Sequence, residues 1–283
     1  MVNGWPWETL NSCHAYSTIM NKEKTAYAVS IAGSDSSAGA GIQTDLKTMA
    51  ACGAWGMTVI AALTAQNGNH VRSSYKVSQK FIYDQIAALE EEFPIGCYKT
   101  GMLMDKETVE AVASAIPIGR NIVVDPVLIS TSGCRLLDKD AEETLIEKLL
   151  PRALIVTPNI PEAEELAGIT INDEKSVLSA GDWFLETGSK AVIIKGGHRP
   201  NWGGIDYYID KSGMKKLSTK QLPFKDIHGT GCCLSSAIAS YIAKGYSVFE
   251  ATKLGKTFVT EAIAHSIVYP AGRRTVHPLW REE

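Results

Sequence analysis

The sequence lacks long apolar segments, because no hydrophobic run approaches the roughly 20 residues needed to cross a bilayer. Its first thirty residues also lack the basic start and apolar middle of a signal peptide. The 28 lysines and arginines are dispersed, the formal net charge is −3, and no basic stripe suited to nucleic acid is present. We therefore expect a soluble, cytoplasmic protein whose partners are neither membranes nor nucleic acids.

Cysteine patterning is sparse as well. The six cysteines form no CxxC pair and no finger-like spacing with the histidines: Cys13, Cys52, Cys97, Cys134, Cys232 and Cys233. Their density is also too low for a disulfide scaffold. Reduced thiols are therefore the expectation.

What the chain does have is a regular alternation of short apolar runs and amphipathic stretches from residue 26 onward. Such alternation predicts βαβ units around a mostly parallel sheet, and therefore a three-layer α/β/α fold. The segment GIDYYIDKSGMKKLS (204–218) alternates around a Lys-Ser-Gly turn and predicts a small antiparallel hairpin at the sheet edge. We expect one domain over residues 26–283, preceded by an N-terminal extension over residues 1–25.

The predicted elements can be placed from these patterns. Strands are expected near residues 27–32, 57–65, 97–103, 121–127, 153–159 and 191–197. Helices are expected near residues 42–52, 79–92, 106–116, 139–149, 232–244 and 248–266, with two more spanning residues 161–187.

Polar segments follow six of the predicted strands. They are GSDSSAGAG, TAQN, KTGM, DPV, TPNIPEAE and KGGH. In open α/β sheets, ligands bind beyond the carboxyl ends of the strands. The six segments together therefore predict a catalytic rim, although any one of them alone is an ordinary polar loop.

The glycine loop (residues 33–41) fits neither a P-loop nor a dinucleotide fingerprint. One interpretation is a tight turn between a strand and a helix. The other is that small residues leave room for a flat ligand, which Asp35 and Gln43 reach.

The segment HGTGC (228–232) precedes a small, apolar, helical run. The backbone N–H groups of Gly229, Thr230 and Gly231 are predicted to open a helix and to bind an anion, such as a phosphoryl group in transfer. The structural alternative is a glycine-rich turn with a buried first helical turn.

Cys232 lies in the first turn of that predicted helix, where the helix dipole favours thiolate over thiol. We expect the pKa of Cys232 to fall well below its usual value of about 8.5, which would make the thiol a candidate base. A small core residue is the alternative. Cys233 points elsewhere and is expected to pack, and a Cys-Cys redox or metal pair is a third interpretation.

Taken together, GSDSSAGAGIQTDLKT, ALTAQN, KTGML, DPV, SGCRLL, LLPRALIVTPNIPEAEELAG, VIIKGGH and HGTGC resemble the hydroxymethylpyrimidine/phosphomethylpyrimidine kinases. The pyridoxal kinases of the same ribokinase superfamily are next in similarity. The resemblance extends from about residue 27 to residue 266. It implies a ribokinase-like kinase domain that uses ATP and Mg²⁺, acts in thiamine biosynthesis on the hydroxymethylpyrimidine and its monophosphate, and forms a homodimer.

The resemblance also implies roles for individual residues. Cys232 would be the catalytic base, and Gly229, Thr230 and Gly231 would hold the developing charge. The residues at the pyrimidine would be Gly33, Asp35, Gln43, Met102 and Val127. The residues at ATP would be Asn159, Glu162, Lys195 and Lys256, with Asp125 and Glu162 at the metal.

Each of these residues has a structural alternative. Asp125 is compatible with a strand end, Asn159 and Glu162 with a helix start, and Lys195 or Lys256 with a solvated lysine. Two departures from the family pattern are the tail AGRRTVHPLW (271–280) and Cys233, where threonine is commoner. The alternative functions are a pyridoxal kinase and a non-catalytic pyrimidine sensor.

Overall fold

The structure is a computed structural model that describes residues 25–129, 133, 135–197, 204–224 and 227–282. The expected N-terminal extension, apart from residue 25, lies outside these residues, as do Cys13 and Cys134. Among the helices described, none is both long and apolar enough to cross a membrane.

Nine strands form the main sheet, in the order β3-β2-β1-β4-β5-β6-β7-β8-β9. Their bounds are β1 Tyr27–Asp35, β2 Trp55–Gln66, β3 Val71–Lys76, β4 Ile95–Thr100, β5 Ile122–Val124, β6 Ile155–Val156, β7 Ala191–Lys195, β8 Ile205–Asp210 and β9 Gly213–Ser218. The strands from β2 to β7 in this order pair in parallel, whereas β3, β8 and β9 are antiparallel. The mostly parallel sheet and its edge hairpin β8–β9 are therefore confirmed.

Eight α-helices connect the strands in the described part of the chain. They are α1 Gly41–Ala51, α2 Gln79–Glu92, α3 Lys106–Ala115, α4 Lys139–Thr144, α5 Ile160–Ala167, α6 Glu174–Glu186, α7 Thr230–Ala243 and α8 Val248–Ala264. The helix predicted over 139–149 changes to a π-helix at Leu145–Leu149 and then to a 3-10 turn at Leu150–Arg152. A small second sheet joins β10 Ile267–Val268 to β11 Arg274–Thr275 in the tail.

Strand β3 was not predicted from the sequence. Its residues VRSSYK are largely exposed, because β3 lies at the edge of the sheet beside β2. An edge strand that buries neither face lacks the apolar alternation by which strands are found in a sequence.

The layers follow from two apolar cores on opposite faces of the sheet. One core contains residues of α2 to α6, such as Ile86, Val112 and Phe184. The other contains residues of α7 and α8, such as Ile238 and Phe258, and α1 packs beside α7. The three-layer α/β/α prediction is confirmed, and the carboxyl ends of the parallel strands meet at one edge.

Candidate active site

Helix α7 begins at Thr230, two residues before the predicted start near residue 232. Gly229 is its N-cap with a left-handed φ of 81°, and no side chain caps the helix. A Cβ on Gly229 would lie 2.0 Å from the Gly39 carbonyl oxygen, so only glycine allows the helix start to approach the glycine loop this closely. The helix start and the glycine loop thus form one continuous wall of backbone.

Cys232 lies in the first turn of α7 and is partly exposed. Burial is the largest influence on this thiol and raises its pKa to about 12, against the opposing effects of the Lys99 ammonium and the Gly41 backbone amide. The expectation of a lowered pKa is therefore wrong for the protein without substrate. Neither the Lys99 ammonium nor the Gly41 amide offsets the cost of burying a charged sulfur.

The predicted phosphate residues come together beside Cys232. Asp125, just after β5, accepts hydrogen bonds from Thr157 Oγ1 at 3.0 Å and from Lys195 Nζ at 3.4 Å. Its other oxygen accepts from Ser235 Oγ of α7 at 3.1 Å. Side chains from two strand ends and one helix therefore converge on the Asp125 carboxylate.

Gly231 completes this cluster. A Cβ there would lie 3.4 Å from Lys195 Nζ and 3.6 Å from Asp125 Oδ2. The backbone of the first turn of α7 therefore lies within a few ångströms of both a cation and an anion, where a phosphate would meet the N–H groups and the ammonium together.

Asn159 and Glu162 form the capping box of α5. The Asn159 side chain accepts from the Glu162 amide at 2.8 Å, and Glu162 Oε2 accepts from the Asn159 amide at 2.8 Å. Burial raises the pKa of Glu162 to about 7, with Asp125 adding to the rise and Lys195, 4.0 Å away, opposing it. Asn159 and Glu162 therefore do form a helix start, as the structural alternative predicts. Glu162 also lies near Lys195 and Asp125.

The donor chemistry fits Mg²⁺ that arrives with a nucleotide. The described residues contain no group of three or more histidine, cysteine, aspartate or glutamate side chains arranged to hold a metal by themselves. Mg²⁺ usually takes one or two protein carboxylates and completes its shell with phosphate oxygens and water. Asp125 and Glu162 would supply those carboxylates.

Lys256 makes a contact that sequence reasoning missed. Its ammonium lies 2.8 Å from Asp206 Oδ2 on β8, and both side chains are nearly buried. Asp206 also accepts from the Gly196 amide at 3.0 Å, directly after Lys195. Lys256 is therefore not a solvated lysine, and its expected contact with ATP stays a prediction.

Asp35 organises the glycine loop from within. Its carboxylate accepts from the amides of Ser37 at 2.8 Å, Gly39 at 3.2 Å and Ala40 at 2.9 Å. Burial alone would raise the pKa of Asp35, but hydrogen bonds from His228 and Ser37 outweigh it and hold the pKa below its usual value. The residue is 4% exposed, and its predicted contact with a pyrimidine stays a prediction.

Gln43 also bonds to its own loop. Its Oε1 accepts from the Asp35 amide at 2.9 Å and its Nε2 donates to Ser34 Oγ at 2.7 Å. Gly33 and Met102 do come together, because a Cβ on Gly33 would lie 3.1 Å from Met102 Sδ. Val127 follows Asp125 by two residues on the same strand end, where its amide donates to the Asp125 carbonyl at 2.9 Å.

The tail closes over the glycine loop. Tyr269 donates its hydroxyl to the Ser37 carbonyl at 3.0 Å, and Thr275 Oγ1 donates to the Gly39 carbonyl at 3.2 Å. His228 Nε2 lies 3.3 Å from both Asp35 Oδ2 and the Gln66 side-chain amide. Sequence reasoning missed this tail clasp (Tyr269, Thr275 and His228), whose only local signal is the histidine of the HGTGC segment.

A buried ion pair lies beneath the site and was also missed. Lys99 of β4 donates to Asp45 of α1 at 2.8 Å, and both side chains are fully buried. The KTGM segment signalled a polar strand end, but not that its lysine points into the layer between the sheet and the helices.

The profile of the phosphomethylpyrimidine kinase family matches residues 35–277. A hydroxymethylpyrimidine/phosphomethylpyrimidine kinase of Rhizobium meliloti is 41% identical over 261 residues, which are 91% of this chain and 98% of that protein. A phosphomethylpyrimidine kinase crystal structure from Clostridium difficile is 42% identical, with a TM-score of 0.75 over 84% of this chain and 100% of that one.

Two further relatives are a longer bifunctional protein and a pyridoxal kinase. The chain is 40% identical over 247 residues to a thiamine biosynthesis bifunctional protein of Geobacter sulfurreducens, of which it spans 50%. An ADP complex of Bacillus subtilis pyridoxal kinase is 30% identical, with a TM-score of 0.84 over 92% of this chain and 100% of that one. The matched family profile spans the strand ends described above, and the chain is a phosphotransferase that belongs to the phosphomethylpyrimidine kinase family.

Proposed function

We propose that the chain transfers the γ-phosphoryl group of ATP to 4-amino-5-hydroxymethyl-2-methylpyrimidine, and then phosphorylates the monophosphate, in thiamine biosynthesis. The supporting observation is the α7 helix start, whose Gly231 lies beside both Lys195 and Asp125 and is followed by the Cys232 thiol. Phosphoryl transfer depends on positioning and charge stabilisation more than on covalent chemistry by the protein. The amides at the start of α7 and the charges of Lys195 and Asp125 supply both the positioning and the charge stabilisation.

Cys232 takes the proton of the substrate hydroxyl as the oxygen attacks phosphorus. Only the thiolate can accept that proton, and burial raises the pKa of Cys232 to about 12 in the free protein. Hydrogen bonding to a charged form stabilises it. We therefore expect the pKa of Cys232 to fall when the substrate hydroxyl donates to the sulfur.

The nucleotide end uses the remaining predicted residues. Lys195 and the Gly229, Thr230 and Gly231 amides would hold the transferring phosphoryl group, and Lys256 would exchange its contact with Asp206 for a phosphate oxygen. Asp125 and Glu162 would hold Mg²⁺, which when bound neutralises triphosphate charge. The ADP complex of the Bacillus subtilis relative supports ATP as the donor.

The pyrimidine would lie against the glycine loop. Gly33 and Met102, which lie in contact, would border one side of the ring, and Val127 another. Gln43 would turn its amide from Ser34 to the aminopyrimidine edge, because an amide both donates and accepts. Asp35 would act mainly by holding the loop in shape, given its contacts with three loop amides.

Turnover on three substrates with Mg-ATP tests the proposal: hydroxymethylpyrimidine, its monophosphate and pyridoxal. We expect kcat/KM to be highest for the pyrimidine and its phosphate. The second candidate is pyridoxal kinase, favoured by the TM-score of 0.84 to the Bacillus subtilis enzyme. Preference for pyridoxal would establish that alternative, and pyrimidine binding without ATP consumption would establish a sensor instead.

We further propose that the protein is a cytoplasmic homodimer. Strand β3 is an edge of the described sheet, and Leu63 and Tyr75, which pair across β2 and β3, are 43% and 70% exposed. Exposed apolar groups on a sheet edge favour association with a second copy. Light scattering after gel filtration should give twice the chain mass of 30.6 kDa, and a monomer would contradict this.

A further inference from the structure

Lys99 is a buried charge that takes no part in the transfer step proposed above. It lies on β4, its side chain is fully buried, and its ammonium lies 2.8 Å from Asp45. Burying two charges costs free energy that an apolar pair would not cost. A lysine at this position therefore calls for an explanation beyond packing.

Asp45 does not need the lysine as its only donor. Its Oδ2 accepts from Ser30 Oγ at 2.5 Å as well as from Lys99, and its Oδ1 accepts from Ser236 Oγ at 2.7 Å. Two hydroxyls thus share the carboxylate with the lysine. An ammonium has three N–H bonds to donate, and the one to Asp45 leaves the charge of Lys99 able to act beyond the pair.

The Lys99 ammonium is directed toward the catalytic edge. Its Nζ lies 2.9 Å from where a Cβ on Gly101 would stand, just past the end of β4. Gly101 therefore leaves the space that the ammonium occupies. The lysine reaches along its strand to the level at which the loops of the site begin.

Cys232 faces the same buried cluster from the other side. It lies four residues before Ser236 on α7, and residues spaced by four share one helix face. Because Ser236 contacts Asp45, the thiol lies one turn above the ion pair, nearer the catalytic edge. Lys99 and Cys232 accordingly interact electrostatically, each favouring the charged form of the other.

We propose that Lys99 is a positioning residue whose buried ammonium is the fixed counter-charge for Cys232 when the sulfur is a thiolate. In the transfer step, which rests on the proposed function, the substrate O–H bond breaks and an S–H bond forms. The oxygen bonds to the γ-phosphorus as the bond to ADP breaks. Lys99 keeps its proton throughout, and Asp45 limits how much of its charge acts on the sulfur.

The other charges around Cys232 determine whether each substitution favours or disfavours the thiolate. Asp45 on α1 and Asp125 after β5 both oppose the thiolate, whereas Lys99 is the cation with the largest effect on it. Cys233 is a buried neighbour on α7, and Lys195 faces Gly231 from β7. Removing Lys99 should therefore disfavour the thiolate, and removing the Asp45 charge should favour it.

The test measures iodoacetamide alkylation of Cys232 by mass spectrometry across a range of pH, in the whole protein without nucleotide or substrate. The double variant Lys99→Met/Asp45→Asn removes both buried charges of the pair together and is therefore expected to fold, which thermal melting checks. At about pH 8 its alkylation should be about twofold or more slower than wild type, because the Lys99 effect on the thiolate that is lost is larger than the opposing Asp45 effect lost with it.

Asp45→Asn alone should alkylate faster than wild type, and Ser236→Ala, which removes a donor but no charge, should change the rate little. A purely structural role would move both variants that carry Asp45→Asn in the same direction. Unchanged alkylation in the double variant, or slower alkylation in Asp45→Asn, would overturn the proposal. Because no kinase activity is measured, opposite shifts in a protein that does not phosphorylate the pyrimidine would refute only the proposed function.

Discussion

The two ends of the site are built differently. At the phosphate end (Asp125, Glu162, Lys195 and Cys232), the Lys195 ammonium lies 3.4 Å from Asp125 and 4.0 Å from Glu162, and the start of α7 carries Cys232. At the ring end (residues 33–43), Asp35 and Gln43 direct their hydrogen bonds to their own loop and strand. The phosphate end is thus organised by opposed charges, and the ring end by a loop in which Asp35 and Gln43 bond largely to neighbouring residues of the same segment.

The phosphate end therefore serves the transfer step, and the ring end serves substrate positioning. Charge clusters stabilise a developing anion, so changes there should lower turnover. A self-bonded loop defines where a flat ring lies, so changes there should weaken substrate binding and loop stability first. Variants at each end test whether the division holds.

Cys232→Ala should have the largest effect. Loss of a general base typically lowers rate by about 10²- to 10⁴-fold. We expect that loss in kcat for the pyrimidine, while nucleotide binding measured by calorimetry stays close to wild type. Cys233→Ala is the matched control, because Cys233 is fully buried among apolar residues. Turnover of Cys232→Ala near that of wild type would show that Cys232 is not the general base, and would contradict the division of roles between the two ends.

Gly229→Ala should have the second largest effect, because Gly229 lies where the two ends of the site meet. Its Cβ would lie 2.0 Å from the Gly39 carbonyl oxygen, so the helix start and the glycine loop must separate. A misplacement of about 1 Å can cost roughly 10²-fold in rate. Gly245→Ala has a similar φ of 91° but nothing within 4 Å of its Cβ, and controls for backbone strain alone. Equal losses of kcat/KM in both variants would show that the contact is irrelevant.

Asp35→Asn should act through the loop. The carboxylate is nearly buried and accepts from three loop amides, so its loss should cost about 2 kcal/mol of unfolding free energy and raise KM for the pyrimidine. Asp84→Asn, which changes an exposed pair with Lys80, is the control.

The same carboxylate predicts a pH dependence. Its pKa in the folded protein lies below the ordinary 3.8, because hydrogen bonds from His228 and Ser37 outweigh burial. Its contribution to stability is therefore present above about pH 4 and is lost as the pH falls through the folded pKa. Denaturant melts of wild type and Asp35→Asn should converge in acid, and a constant difference at every pH would contradict this.

Tyr269→Phe should have the smallest effect. It removes one hydrogen bond to the Ser37 carbonyl and leaves the ring in place. A loss of about 1 kcal/mol corresponds to a rise in KM of roughly fivefold, with kcat unchanged. Tyr75→Phe, on the exposed β3 edge, should leave KM as it is. A fall in kcat without a change in KM would place the tail clasp at the phosphate end instead.

The sequence predicted the parts of this site that follow from strand order. Parallel strands end at one edge, so the alternation of strands and helices already indicates that Asp125 and Lys195 meet there. The start of α7 was predictable from its glycines. The order of the elements followed from apolar alternation, except at β3 and at β10 and β11 of the tail, which were not predicted.

Contacts between distant segments were not predictable in this way. Lys256 with Asp206, Tyr269 with Ser37, and Lys99 with Asp45 join residues that no periodic pattern relates. The pKa of Cys232 was mispredicted for the same reason. The dipole of its own helix is a local property, whereas its burial depends on how α1, β4 and α7 pack.

The central claim is that the substrate hydroxyl and the γ-phosphoryl group meet at the start of α7. A crystal structure with hydroxymethylpyrimidine and a non-hydrolysable ATP analogue tests it most directly. We predict the hydroxymethyl oxygen within hydrogen-bonding distance of Cys232 Sγ, and the terminal phosphate bound by the Gly229, Thr230 and Gly231 amides. A hydroxymethyl group directed away from Cys232, with the phosphate held elsewhere, would contradict the account.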